Sequence, residues 1–233
     1  MGKMNIFTVK ATAKQVSRRR IMLKVAYVVG GISTFILLLF YGMAAFARGV
    51  GSFTVNVPGD GDGATIALSE NPEFSESYTK LFADPLDEMD NITEAWIPSD
   101  VDSDEYYGSH NGMAYIAYTF YLKNTSDKTI SYNMSIDIEK NELGVDEAIR
   151  VKVYHNGEPT TYAKYKKDSL EPEPNTTPFY SSKQVMYTEV SNFEQGEIDK
   201  FTIVIWLEGN DPECTNEIKG GKIKFSVNFT TIE

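Results

Sequence analysis

One short stretch of this chain has alternating acidic side chains, and its spacing is suited to binding a cation. Asp100, Asp102 and Asp104 are each separated by a single residue. Alternate carboxylates can reach one hard cation, and calcium prefers oxygen ligands from flexible loops. The EF-hand pattern fails, because its sixth position is Glu105 rather than Gly and its twelfth is Asn111 rather than Glu. Either a calcium site or a solvated acidic loop is expected here, and calcium is the one cofactor that the sequence suggests.

Residues for nucleophilic or acid–base catalysis are scarce. The chain has two histidines, His110 in a Gly-Ser-His-Asn-Gly stretch and His155 beside an Asn-Gly turn, and both positions suit solvated polar residues. The lone Cys214 cannot form a disulfide within its own chain, so it is either an idle small side chain or a partner in an intermolecular disulfide. No nucleophile elbow, phosphate-binding loop or zinc spacing occurs. We therefore predict that the protein is not an enzyme and has no catalytic residue.

An uncharged segment near the N-terminus determines where these residues lie. Residues 25–47 contain no acid or base, and 23 residues of helix would span about 35 Å, enough to cross a bilayer. We predict one transmembrane signal-anchor helix over residues 21–47, after a flexible basic tail over residues 1–20. The predicted lipid-facing residues include Val25, Leu37, Leu38, Leu39 and Phe40.

The charge distribution predicts the orientation of this helix. Eight bases and no acids lie between Met1 and Arg48, whereas the remaining residues hold 14 bases and all 33 acids, a net charge of −19. The positive-inside rule places the N-terminus in the cytoplasm and residues 48–233 outside the cell as one domain. If a signal peptidase cuts after Ala47, at the small-x-small pattern Ala-Phe-Ala, the protein is instead secreted. So acidic a surface repels nucleic acid, which we exclude as a partner.

The outer domain shows the alternation of β-strands. Residues 130–138, 149–153, 184–190, 201–207 and 223–229 each alternate apolar and polar side chains, and Asn156-Gly157 predicts a hairpin turn. Asn71 and Pro72 suit a helix start, and Phe74, Tyr78 and Leu81 follow at helical spacing. About eight strands and one short helix predict an all-β, antiparallel two-layer sandwich with jelly-roll-like wiring.

Residues 115–125, 148–154, 206–214 and 220–224 resemble uncharacterised secreted or surface proteins of Gram-positive bacteria. The order of leader helix, strand and closing amphipathic strand is similar, more distantly, to the TasA/camelysin family of biofilm-matrix proteins. The resemblance implies a jelly-roll surface protein that polymerises when an N-terminal strand completes a neighbour's sheet. The chain lacks a His-Glu-x-x-His motif, so protease activity is not carried over.

These observations predict a membrane-anchored structural or adhesive surface subunit that has protein partners or self-assembles. The predicted strand donor is the segment at residues 52–57, with Phe53, Val55 and Val57 as its interface residues, because it directly follows the anchor. The alternative is a receptor-like module that binds a ligand or calcium within a larger membrane complex.

Overall fold

The computed structural model describes residues 13–47, 53–57 and 65–232. It is mostly β-sheet, with 45% of residues in strands and 15% in helix. The chain divides into two compact units, Met1–Arg48 and Gly49–Glu233. The first unit contains one helix, and the second contains two mixed β-sheets.

Helix α1 runs from Ala13 to Ala47, and its segment Arg20–Leu38 is long and apolar enough to cross a membrane. Every side chain from Lys24 to Leu38 is exposed, as a lipid-facing helix requires. The Ser33 and Thr34 hydroxyls donate to the Gly30 carbonyl oxygen at 3.0 and 2.9 Å, so the helix satisfies these polar groups itself. Val25, Leu37 and Leu38 are exposed on α1, whereas the side chains of Leu39 and Phe40 lie outside the described set.

The prediction of a flexible tail over residues 1–20 is wrong for residues 13–20, which are helical. Lys, Gln and Arg are good helix formers, so this basic segment continues the helical turns of the apolar one. Residues 1–12 lie outside the described residues.

Twelve strands form the described part of the second unit. They are β1 (Phe53–Asn56), β2 (Ile66–Ser69), β3 (Lys80–Phe82), β4 (Gly108–Ser109), β5 (Tyr115–Asn124), β6 (Ile130–Asn141), β7 (Ile149–His155), β8 (Glu158–Ala163), β9 (Thr177–Pro178), β10 (Gln184–Phe193), β11 (Ile198–Leu207) and β12 (Ile223–Ile232). Sheet A has the order β10-β6-β12-β1-β3, and sheet B has the order β2-β5-β11-β7-β8-β9, with β4 also paired to β5.

The expectation of wholly antiparallel sheets is wrong at two strand pairs. β1 pairs with β12 in parallel, with Val55 opposite Val227, and β8 pairs with β9 in parallel. Parallel neighbours need a long connection between them, and the whole remaining domain lies between β1 and β12. Alternation within a strand sets which face is buried but carries no information on the direction of its neighbour, so the sequence pattern could not reveal this.

The short helix expected from Asn71 to Asp84 is also wrong, since no α-helix occurs within residues 65–232. Asn71 does act as a cap, because its Oδ1 accepts from the Glu73 backbone N–H at 2.8 Å. The turn that begins at Asn71 does not continue into a helix, because Phe74 has a φ of 51°, outside the right-handed helical region. Leu81 then lies in β3 opposite Val55, and strand pairing outweighs the helical spacing.

The two sheets share one hydrophobic core. The rings of Phe120 and Phe201 in sheet B lie 6.0 and 5.4 Å, respectively, from the ring of Phe229 in sheet A. Within sheet A, Tyr132 and Phe193 add an edge contact at 5.1 Å to this cluster. Burying rings of this size dominates the energetics of a core, so this aromatic cluster holds the two sheets together.

The acidic segment at residues 86–112 covers the outer face of sheet B. Ile92 and Val101 are buried there against Ala117, Val204 and Trp206, in a second, smaller core. The Ile92 backbone N–H donates to the Leu207 carbonyl oxygen at 2.9 Å, which fixes the segment to the end of β11. Sheet B therefore has apolar packing on both faces.

Candidate functional site

The predicted strand-donor residues lie inside the domain's own sheet. Phe53, Val55 and Val57 are buried in the core, with at most 6% of their surface exposed. Phe53 and Val55 belong to β1, which lies between β12 on one side and β3 on the other, and Val57 follows the strand directly. This four-residue strand therefore fills a slot between two neighbouring strands. Both of its apolar side chains, those of Phe53 and Val55, are buried in the core.

The predicted calcium ligands Asp102 and Asp104 lie around an ammonium group. Lys200 Nζ is 2.8 Å from Asp104 Oδ1 and 3.4 Å from Asp102 Oδ1, and it donates to the Asp102 carbonyl oxygen at 2.6 Å. Lys200 lowers the pKa of Asp104 below its ordinary value, first through the hydrogen bond and then through its charge. Asp100 has no described ion pair. A calcium ion here would compete with Lys200, and the site stays a prediction.

His110 has a structural position in the same segment. Its Nδ1 lies 3.0 Å from the Gly108 carbonyl oxygen, and its Nε2 lies 3.1 Å from the Val101 carbonyl oxygen. Its ring stacks on Tyr106 with centroids 4.7 Å apart. Both ring nitrogens thus face backbone carbonyls, so His110 orders the segment on the face of sheet B.

A buried charge cluster lies where the start of β7 meets the loop after β11. The Arg150 guanidinium donates to Asp211 Oδ2 at 2.6 Å and lies 3.5 Å from Glu173 Oε2. All three residues are at least 94% buried. Glu213 adds a third carboxylate, and one oxygen from each of the three acids lies within 4.8 Å of the others. These oxygens could ligate a hard cation, but the guanidinium already supplies a positive charge to them.

The surplus of carboxylates alters the acid–base behaviour of this cluster. The adjacent Asp211 carboxylate raises the pKa of Glu213 above its ordinary value, and partial burial adds to the effect. Burial, followed by the charge of Asp211, raises the pKa of the neighbouring Cys214 thiol. A raised thiol pKa means less thiolate at neutral pH, so Cys214 is a poor nucleophile here.

His155 belongs to a second buried network. Its ring stacks on Phe201 with centroids 4.6 Å apart, and its Nε2 lies 3.4 Å from Asp199 Oδ1. The Asp199 carboxylate also accepts from Asn156 Nδ2 at 2.7 Å and from the Tyr132 hydroxyl. Every group with a described contact to this carboxylate stabilises its charge, and the hydroxyl among them, that of Tyr132, donates to Asp199 and not to His155.

The Arg150 cluster was not predicted from the sequence. Arg150 alternates with apolar neighbours on β7, a pattern that indicates a polar face, and Glu173 lies in a stretch rich in Lys, Glu and Pro, a composition typical of exposed loops. Arg150 and Asp211 are 61 residues apart, so no local spacing joins them. The alternation on β7 gives no signal, because Lys152 occupies an equivalent position on the same strand and is only half-buried.

No protein-family model and no curated protein matches this chain. Similar solved structures include two of a beta-glucosidase from Kluyveromyces marxianus, one in complex with glucose and one labelled with selenomethionine. Their identities to this chain are 10% and 12%, and each has a TM-score of 0.24. The alignments cover 73% of this chain but only 16% and 17% of the enzyme chains, so the chain spans about a sixth of their length. At this TM-score we infer neither fold nor activity from the likeness.

Proposed function

We propose that this protein is a non-enzymatic surface subunit, held in the cell membrane by α1, with a jelly-roll-like β-sandwich outside the cell. The basic residues before the apolar segment support a cytoplasmic N-terminus. The acidic composition of the β-domain supports an exposed location, since a net charge of −19 keeps such a domain soluble. In this proposal α1 stays attached as an anchor.

The single observation behind a structural role is the position of β1. This strand comes first in the domain and lies between β12 and β3. If β1 of one copy occupied the slot of the next, the same hydrogen bonds and the same apolar contacts would form between chains. Exchange of an identical element is a low-cost route to assembly, because no contact is lost. Repeated exchange from copy to copy would produce a chain of subunits.

A cross-strand disulfide tests this assembly. Thr54 on β1 and Ser226 on β12 are register partners and share the outer face of sheet A. In a Cys214→Ser background, Thr54→Cys with Ser226→Cys should oxidise between chains wherever β1 is exchanged. We expect a ladder of covalent oligomers from intact cells on a non-reducing gel. The single variants Thr54→Cys and Ser226→Cys are the controls and should give no ladder beyond dimers.

The same double variant also identifies the opposite outcome. If oxidation gives only monomers with an internal crosslink, β1 stays in its own sheet and assembly by strand exchange is wrong. Proteolysis of intact cells tests the orientation separately, because an external domain is degraded while the N-terminal segment is protected. Protection of the β-domain in intact cells would contradict the proposed location.

A further inference from the structure

The outer face of sheet A carries three rows of mostly polar side chains, two of which cross all five strands. The register places Gln184, Asp137, Ser226, Thr54 and Phe82 in one row, Tyr187, Ser135, Asn228, Asn56 and Lys80 in the next, and Glu189, Asn133 and Thr230 in a third. We call these thirteen residues the polar face. None of them is aliphatic, and the only two aromatic members lie on the outermost strands. From β10 to β3 the face is about 19 Å wide.

Hydrogen bonds between neighbouring strands fix the side chains of the polar face. Asn56 Nδ2 donates to Asn228 Oδ1 at 3.0 Å, and Asn228 Nδ2 donates to Asp137 Oδ2 at 2.8 Å. Gln184 Nε2 donates to the other oxygen of Asp137 at 2.6 Å. This chain of contacts joins four strands, so a ligand would find the amides already oriented and would not have to order them.

One acceptor on this face lacks a partner. Asn133 Oδ1 is shielded from solvent and accepts no hydrogen bond from any residue that the structure describes. It lies between Glu189 and Thr230 in the third row. A shielded amide oxygen without a donor is costly, and because the Asn133 side chain is only half-buried, rotation of its amide toward a donor from outside the domain would be favourable.

Exposed aromatic rings lie at the two edges of the polar face. Tyr187, on the β10 side, is 48% exposed, and its ring lies 5.8 Å from that of Tyr180, which is 66% exposed. On the β3 side, Phe82 is 62% exposed. Large exposed rings around a polar surface are characteristic of binding sites rather than of bare protein surface.

The charge of the face restricts the choice of ligand. Asp137 and Glu189 are negatively charged members of the face. A third carboxylate, that of Glu139, lies beside the face and accepts a hydrogen bond from Ser226 Oγ at 2.6 Å. Lys80 is the one cation within the three rows. Anionic polymers and lipid headgroups are repelled by such a face. A second copy of the same face would meet it with like charges, which is also unfavourable.

We propose that the polar face binds a neutral polysaccharide chain. Sugar hydroxyls both donate and accept hydrogen bonds, as do the half-buried Asn, Gln and Ser135 side chains of the face and the exposed Thr230, whereas Thr54 and Ser226 are buried. The apolar C–H faces of sugar rings can pack on Tyr187, Tyr180 and Phe82. A sugar hydroxyl would also supply the donor that Asn133 Oδ1 lacks. This activity goes beyond the structural role proposed above and does not depend on exchange of β1.

Affinity electrophoresis tests this inference on the full chain in phosphatidylcholine nanodiscs. The gels contain galactomannan, hydroxyethylcellulose or dextran as neutral probes and alginate as an anionic one. We expect at least one neutral polymer to retard the protein and alginate not to. Tyr187→Ala and Asn133→Ala should each weaken retardation about three- to tenfold, the range expected for one aromatic or hydrogen-bonding contact.

Tyr165→Ala is the matched control, because Tyr165 is 46% exposed but lies outside the polar face. It should bind like the unmodified chain. The inference is overturned if no neutral polymer retards the protein, if Tyr165→Ala weakens binding as much as Tyr187→Ala does, or if alginate binds as well as the neutral polymers. It is also overturned if the only effect of Tyr187→Ala is a loss of self-association in sedimentation.

Discussion

The hydroxyl of Tyr132 donates a hydrogen bond to the carboxylate of Asp199, and this bond joins the two sheets across the core. Tyr132 belongs to β6 in sheet A, and Asp199 belongs to β11 in sheet B. Burial, followed by the hydrogen bond to Asp199, raises the pKa of Tyr132 far above its ordinary value, so the hydroxyl remains a donor at all physiological pH values. This contact, together with the hydrogen bond that Asn124 Nδ2 in sheet B donates to the Phe193 carbonyl oxygen in sheet A at 2.9 Å, fixes the relative position of the two sheets.

Replacing Tyr132 with Phe should lower the free energy of unfolding by about 1.5–3 kcal/mol, the range for a hydrogen bond to a charged group. Urea titration of the full chain in micelles measures this, with Trp206 fluorescence followed in a Trp96→Phe background. Tyr187→Phe is the control and should change the value by less than about 0.5 kcal/mol, because Tyr187 is exposed. Equal effects of the two substitutions would contradict the role of the bond.

The stability of the domain should depend on the charge of Asp199. Burial alone would raise the pKa of Asp199, but contacts from His155, Tyr132 and Asn156 outweigh it and lower the pKa below its ordinary value of 3.8. A carboxyl with a lowered native pKa stabilises the fold fully above about pH 5, and this stabilisation is lost as the pH falls through the native pKa.

Urea titrations between pH 3 and pH 7 test this dependence. Asp199→Asn should show a shallower loss of stability below about pH 4 than the unmodified chain, because it lacks one titrating group. Glu171→Gln is the control, since the Glu171 side chain is 70% exposed in its ion pair with Lys166. Parallel curves for Asp199→Asn and the unmodified chain would show that Asp199 does not contribute.

Arg150→Met should lower the free energy of unfolding by about 3–5 kcal/mol, because it leaves the buried carboxylates of Glu173 and Asp211 without their cation. Lys166→Met removes an exposed cation from a comparable pair and should cost less than about 1 kcal/mol. The same urea titration measures both. A cost for Arg150→Met as small as that for Lys166→Met would mean that the cluster is solvated.

The two tryptophans report whether the segment at residues 86–112 covers sheet B. Trp96 is 74% exposed, whereas Trp206 is 1% exposed beneath Ile92 and Val101. Acrylamide quenching of the Trp96→Phe variant should be several-fold weaker than that of the unmodified chain. Adding Val101→Asp to that variant should restore quenching, because a charge cannot remain buried in this small core. Strong quenching before Val101→Asp is added would contradict the covering position of the segment.

Local patterns predicted most of the strands. The alternating segments at residues 130–138, 149–153, 184–190, 201–207 and 223–229 are all strands, and β7 and β8 meet at Asn156-Gly157 as expected. Both turn residues have positive φ, 51° and 87°, which Asn and Gly tolerate best. These features depend on neighbours in the sequence, so they can be derived from it. The apolar helix was predicted for the same reason.

Features that depend on distant partners could not be derived in this way. Ile92 and Val101, rather than the larger Trp96, are the buried residues of the segment at residues 86–112, because they meet the outer face of sheet B. Asp102 and Asp104 could be identified as acids but not as partners of Lys200. The parallel pairing of β1 and the burial of Arg150 likewise depend on residues far away in the chain.

The Asn56 amide on β1 contacts Asn228, which follows it by 172 residues. During synthesis on the ribosome, β1 therefore emerges long before the strand that it must lie beside. Contacts of such long range slow the final closure of a domain. With the proposed external location, the newly made chain would cross the membrane before β12 can pair with β1, and in that interval the open edge of β1 in one nascent molecule would be available to the sheet of another.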